Sequence, residues 1–137
     1  MGTVIRPEVS RKNKYWIDRH RHYELKHFCL QYPEWKRAYR SSPSISSSFG
    51  NEPSGGDLHE DPTAKHAMRK VCYMERIKLI ERIAGEADED LHNYILKGVT
   101  EGLSYTYLKT KMNMPCSRDM YYDRYRKFFW LLDNARD

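Results

Sequence analysis

No part of this chain is apolar for long. Its longest purely apolar run, residues 128–132, is five residues, against the ~20 that a membrane-spanning helix needs. The opening Met1-Gly2-Thr3-Val4-Ile5-Arg6-Pro7 has no apolar core of a secretory signal, and Arg6 stands where a myristoylation signal has Ser or Thr. Cysteine is scarce. Cys29, Cys72 and Cys116 are odd in number, far apart and without a Cys-x-x-Cys pair. That pattern argues against a disulfide framework and a thiolate zinc site, and predicts a reduced, cytoplasmic protein. No segment alternates with the two-residue period of a strand, and Asn-Gly or Asp-Gly hairpin turns do not occur. The Gly-x-Gly-x-x-Gly, P-loop, Gly-x-Ser-x-Gly and His-Glu-x-x-His signatures are absent too, so neither an enzyme nor a cofactor is expected.

What remains is a helical composition rich in tyrosine. The chain has 137 residues, a length that suits one domain. Charged residues make up 31% and aromatics 13%, with 11 Tyr against 4 Phe and 3 Trp. A chain disordered throughout would be poorer in aromatics. The net charge of +5 is uneven: residues 1–40 carry 10 Lys/Arg and 4 Asp/Glu, residues 41–60 none and 3, residues 61–102 seven and eight, residues 103–137 seven and four. Basic ends fit a nucleic-acid surface, or ordinary solvated Lys and Arg on helices.

Three parts are expected: a basic helical segment over 1–40, a polar loop over 41–60, and a helical domain over 61–137. In the loop, Ser, Gly and Pro fill 12 of 20 positions, too little apolar surface to offset ordering, so a flexible segment is predicted. Before it, Trp16, His20, Tyr23, His27 and Leu30 recur at steps of four and three, which predicts one face of a helix over 13–31. Tyr32-Pro33 interrupts that helix and a second begins at Pro33. After the loop, Asp61-Pro62 opens a third helix expected to run to Ala84 and stop at Gly85. Its two apolar stripes, Tyr73, Ile77, Ile80 and Ala84 on one side and Ala64, Met68, Val71, Cys72 and Leu79 on the other, predict a helix sandwiched between neighbours. A fourth helix follows the acidic run 86–90, with Leu91, Tyr94, Ile95 and Val99 inward and Gly98 and Gly102 near its end. The expected fold class is all-α.

The last 34 residues are the most informative. Ser104 can cap a short helix over 105–112; Asn113-Met114-Pro115 breaks the chain; Ser117 can cap a long final helix. Tyr121, Tyr125, Phe128, Phe129 and Leu132 fall on one face of that helix. Outside it lie Arg118, Asp119, Tyr122, Asp123, Arg126 and Lys127. A scaffold helix, a tight break and a capped helix with a polar, basic start make a helix-turn-helix over about 104–133. Read so, Ser117 and Asp119 stand at the start of the recognition helix. Arg118, Tyr122 and Arg126 face the groove, and Lys109, Lys111, Arg124 and Lys127 meet phosphates.

Residues 88–132 resemble region 4 of bacterial sigma factors: an acid-capped helix, a Gly102-Leu103-Ser104 junction, then a helix-turn-helix. Over about 14–133 the chain resembles phage late-gene transcription activators of the RinA and ArpU type. That resemblance implies a double-stranded DNA partner, a bacterial host cytoplasm and late-gene activation through host RNA polymerase. The aromatic final helix leaves a homo-oligomer or partner surface open beside a core role. Two other functions stay open: protein–protein contact on host polymerase or on a host defence nucleoprotein, with aromatic anchors, and DNA packaging as in small terminase subunits. Six His suggest no metal: His20 and His22 point to different helix faces, and nothing joins His20 and His27 at ligand spacing. Cys116, beside a helix N-terminus, is a candidate for a lowered thiol pKa, though a role in lining the turn suits it better.

Overall fold

The computed structural model describes residues 11–41 and 62–136. These form six α-helices and no strand: α1 (Arg19–Leu30), α2 (Tyr32–Ser41), α3 (Pro62–Ala87), α4 (His92–Glu101), α5 (Tyr105–Met112) and α6 (Arg118–Ala135). The all-α expectation holds. Of the loop expected over 41–60, Ser41 is the last residue of α2; the rest of it and Asp61 lie outside the described residues.

Helix α6 is the central element, packing on α1, α3 and α4, while α2 lies along α3. Its buried face is the aromatic stripe expected from spacing: Tyr121, Tyr125, Phe128, Phe129 and Leu132. They meet Leu25, Phe28 and Cys29 of α1, Ile77, Ile80, Ile83, Ala84 and Ala87 of α3, and Ile95 and Val99 of α4 in one core. The N-terminal helices therefore share the core of the C-terminal ones, although a 20-residue Ser/Gly-rich stretch separates them in sequence. A seam of polar contacts closes the edge between α1 and α6. Arg21 Nε donates to Asp133 Oδ1 at 2.6 Å, its Nη2 donates to the Arg136 carbonyl, and the Arg136 guanidinium lies 3.8 Å from the centre of the Phe28 ring. On α2, the Tyr32 hydroxyl donates to Glu81 of α3, and the Trp35 ring meets Phe28 edge-on at 4.9 Å.

Three expectations need correction. Helix α1 starts at Arg19, not Asn13, because the Asn13 side chain accepts from the Tyr15 N–H at 2.8 Å and the Asn13 carbonyl from Trp16 at 3.0 Å. That turn competes with a helix. Its core face is His22, Leu25, Phe28 and Cys29, whereas His20, His27 and Leu30 are exposed. Two sets of residues share helical spacing here, and the one holding Leu25 and Phe28 buries more apolar surface, at the cost of enclosing His22. Helix α3 runs through Gly85, which keeps a helical φ, to Ala87. Continuing buries Ala87 and brings Asp88 to the Asp90 and Leu91 N–H groups at 2.9 and 3.0 Å, which offsets the ~1 kcal/mol cost of a helical glycine. Nor does the second stripe of α3 pack as expected: Met68 is 69% exposed, Val71 53%, Ala64 and Cys72 are exposed, and of that set only the half-buried Leu79 meets the core, so α3 lies between neighbours only along its C-terminal half.

The remaining breaks follow their local signals. Gly102 takes the left-handed conformation at φ 69° that ends α4. Ser104 Oγ accepts from the Tyr107 N–H at 3.1 Å and Ser117 Oγ from Met120 at 3.2 Å, each capping its helix. Gly98 is required for another reason. A Cβ there would strike the Tyr121 hydroxyl and touch Leu108, so α4 meets α5 and α6 only because position 98 has no side chain. The Tyr121 hydroxyl is buried with no hydrogen-bond partner among the described residues.

Gly98→Ala should therefore cost about 1–3 kcal/mol through overpacking. Tyr121→Phe alone should be neutral or stabilising by about 1 kcal/mol, since it removes an unsatisfied buried hydroxyl. In the Tyr121→Phe background, Gly98→Ala should lose its cost, because the helix-propensity gain of ~1 kcal/mol no longer meets a clash. Urea denaturation of the four proteins measures the cycle; an equal cost in both backgrounds would contradict this packing.

Candidate nucleic-acid interface

The turn between α5 and α6 is short and cross-braced. Asn113 takes a left-handed φ of 55°, and the Met114 N–H reaches back to the Leu108 carbonyl at 3.1 Å, which buries Met114. From α5, the Tyr105 hydroxyl donates to the Cys116 carbonyl at 3.0 Å and Lys109 Nζ donates to the same oxygen at 3.3 Å. Two side chains thus hold the residue that precedes the Ser117 cap. Cys116 itself is buried, and burial pushes its thiol pKa up despite Lys109 nearby. The lowering expected at a helix N-terminus is therefore not the net result.

Beyond the cap, Arg118, Asp119 and Met120 are exposed. The Arg118 guanidinium lies over two rings, 5.4 Å from the Tyr122 centroid and 5.8 Å from that of Tyr105. Cation–π contact at an exposed site is worth about 0.5–1 kcal/mol, enough to bias the side chain without immobilising it. Tyr122 is half-buried, ringed by Tyr105, Tyr121 and Tyr125. Burial raises its hydroxyl pKa although Arg118 opposes the shift, so the group is a neutral donor at physiological pH.

The nine residues expected from sequence do not form one patch. Ser117, Arg118, Asp119 and Tyr122 gather at the start of α6, with Lys109 bracing the turn beneath them. Lys111 is exposed near the end of α5, and Lys127 is half-buried further along α6. Arg124 is engaged inside the protein: Nε donates to Asp88 Oδ2 at 2.9 Å and Nη1 to Asp123. Burial would raise the Asp88 carboxyl pKa, but the Leu91 N–H, Arg124 and the Asp90 N–H together hold it below the ordinary value. Arg124 and Asp88 thus tie α6 to the junction of α3 and α4. Arg126 turns toward the N-terminal segment, lining a small recess with Tyr15, Ile17, His22 and Phe129. Its Nε is buried there without a partner among the described residues.

Sequence reasoning missed Tyr105, the platform and brace, and Asp88, the anchor of Arg124. It counted the basic charge of residues 1–40 but could not place it. The structure lays Tyr15 against Trp130 of α6, ring centroids 5.7 Å apart. Among the described residues, no three His, Cys, Asp or Glu side chains converge as a metal site would need. No described helix is long and apolar enough to cross a membrane. The chain matches no family model, and searches of curated proteins and of solved structures find no match.

His22 gives the site's surroundings a pH dependence. Burial, aided by Lys26, lowers its pKa from 6.5 to about 4, and its ring stacks edge-on to Phe129 at 4.7 Å. The folded chain disfavours the proton, so this contribution is complete above pH 6.5 and is lost as pH falls toward 4. The loss is about 3 kcal/mol. Asp88 acts lower, its share being lost only as pH drops below its ordinary value of 3.8. Denaturation curves between pH 7 and 4 should show stability falling in the wild type and a flatter profile in His22→Leu. The same slope in both would contradict burial of a neutral imidazole.

Proposed function

We propose that this chain is a sequence-specific DNA-binding regulator of transcription, with α5 and α6 acting as a helix-turn-helix and α6 entering the major groove. The observation that carries the reading is the Ser117-capped start of α6, set on a braced turn and displaying Arg118. A capped helix N-terminus favours phosphate through its dipole and free amides. A guanidinium held beside it can reach guanine O6 and N7 by two hydrogen bonds. Arg118 then reads bases, with the Tyr122 hydroxyl beside it, while Lys111 and Lys127 meet phosphates. Lys109 and Arg124, assigned to phosphate by spacing alone, act here by holding the turn and the helix. The setting proposed is a phage or prophage one, with late genes activated through host RNA polymerase in the bacterial cytoplasm.

The competing reading, protein contact through aromatic anchors, needs the α6 aromatics at the surface. Tyr121, Tyr125, Phe128 and Phe129 are buried, which favours DNA.

Binding by fluorescence anisotropy tests the roles. Arg118→Ala should weaken binding to the specific site by about 1–3 kcal/mol and relax selectivity. Lys127→Ala should weaken all duplexes alike and flatten the salt slope by about 1. If Arg118→Ala also lowers affinity equally for every sequence, base reading by Arg118 is wrong.

A further inference from the structure

Residues 118, 122, 126 and 130 follow one another at steps of four, so Arg118, Tyr122, Arg126 and Trp130 form a single ridge along α6. The ridge borders the buried stripe, and its two halves have different neighbours. The first half rests on Tyr105 of α5. The second half is met by the segment that precedes α1: Tyr15 contacts Trp130 and shares the recess of Arg126, and Ile17 is buried behind them. That segment is basic. Residues 11–19 hold Arg11, Lys12, Lys14 and Arg19 against one acid, Asp18. Two of the cations are placed on its own rings, Lys14 Nζ 5.0 Å from the Tyr15 centroid and the Arg11 guanidinium 5.5 Å from that of Trp16. Lys14, Tyr15, Trp130 and Arg126 are therefore neighbours, and the acids nearest along α6 are held in ion pairs, Asp123 with Arg124 and Asp133 with Arg21.

We propose that residues 11–16 are a second, sequence-independent arm of the DNA interface, docked on α6 through Tyr15 and Trp130 so that Arg11 and Lys14 contact backbone phosphates beside the groove that Arg118 enters. The inference rests on the DNA reading above and extends it. Distance supports the division of labour. From position 118 to 130 the helix rises about 18 Å, whereas the major groove is about 12 Å wide. Cations at the far end of the ridge then fall on the flanking backbone and not on base edges. Docking on Trp130 orders the arm before DNA arrives, which lowers the entropy lost on binding.

The test uses the full chain, a fluorescein-labelled 30-base-pair duplex of mixed sequence, and titrations from 50 to 200 mM NaCl. Arg11→Gln with Lys14→Gln should flatten the salt slope by about 2 and weaken binding on the order of tenfold at 100 mM. The loss should be the same on any duplex. Tyr15→Ala keeps both charges but removes the docking ring; with its melting checked by circular dichroism, it should weaken binding while leaving most of the slope. If the double variant keeps the wild-type slope and affinity while the wild-type chain binds the duplex, the arm is refuted and the DNA reading stands. If the wild-type chain fails to bind the duplex at 50 mM salt, both are refuted.

Discussion

Burial of Tyr121, Tyr125, Phe128, Phe129 and Leu132 along one side of α6 is the contact on which the rest of the structure depends. Each such side chain contributes about 1.5–3 kcal/mol when fully buried, so together they are comparable with the whole net stability of a small domain. They also set the rotation of α6 about its axis. With that stripe inward, Arg118, Tyr122, Arg126 and Trp130 can only run along its border, and Arg124 can only emerge on the opposite flank, where Asp88 receives it. The absence of a side chain at Gly98 completes the constraint, because a Cβ there would take the place of the Tyr121 hydroxyl and force α4 away from α6.

From that rotation follows the distribution of charge. At one end the Tyr105 and Lys109 brace holds the Ser117 cap and leaves Arg118 exposed over aromatic rings. At the other end Tyr15 and Trp130 bring a basic segment against the same ridge. The side facing α3 and α4 carries the internal Arg124–Asp88 pair. A protein with ordinary overall charge can in this way concentrate cations along one edge, and edges of this kind suit a polyanion.

The parts legible in the sequence were those decided locally. Ser104, Ser117 and Gly102 mark helix ends through their own hydrogen bonding or backbone freedom, and the structure uses each as expected. The final stripe was legible because five large side chains share a face with no rival set. Where two sets competed, spacing alone could not choose: α1 buries Leu25 and Phe28 and leaves His20 and His27 in solvent. The second stripe of α3 failed for a related reason. Met68 and Val71 have helical spacing, but no described helix covers them. Gly85 read as a stop because the benefit of burying Ala87 lies in tertiary contacts. The same limit governs the site. The exposure of Arg118 follows from its place beside a cap, whereas the engagement of Arg124 with Asp88, 36 residues away, and the turn of Arg126 toward Tyr15 depend on which elements flank α6.

The central claim is that one edge of the molecule, from the start of α6 to the segment before α1, is the surface that meets DNA. Amide chemical-shift mapping of the labelled protein, titrated with a short mixed-sequence duplex at low salt, tests it most directly. Shifts should concentrate at residues 11–19, 111, 117–122 and 127, while Met68, Val71 and Cys72 on the exposed side of α3 stay in place. Shifts concentrated on that α3 stripe, or none at saturating duplex, would contradict the claim.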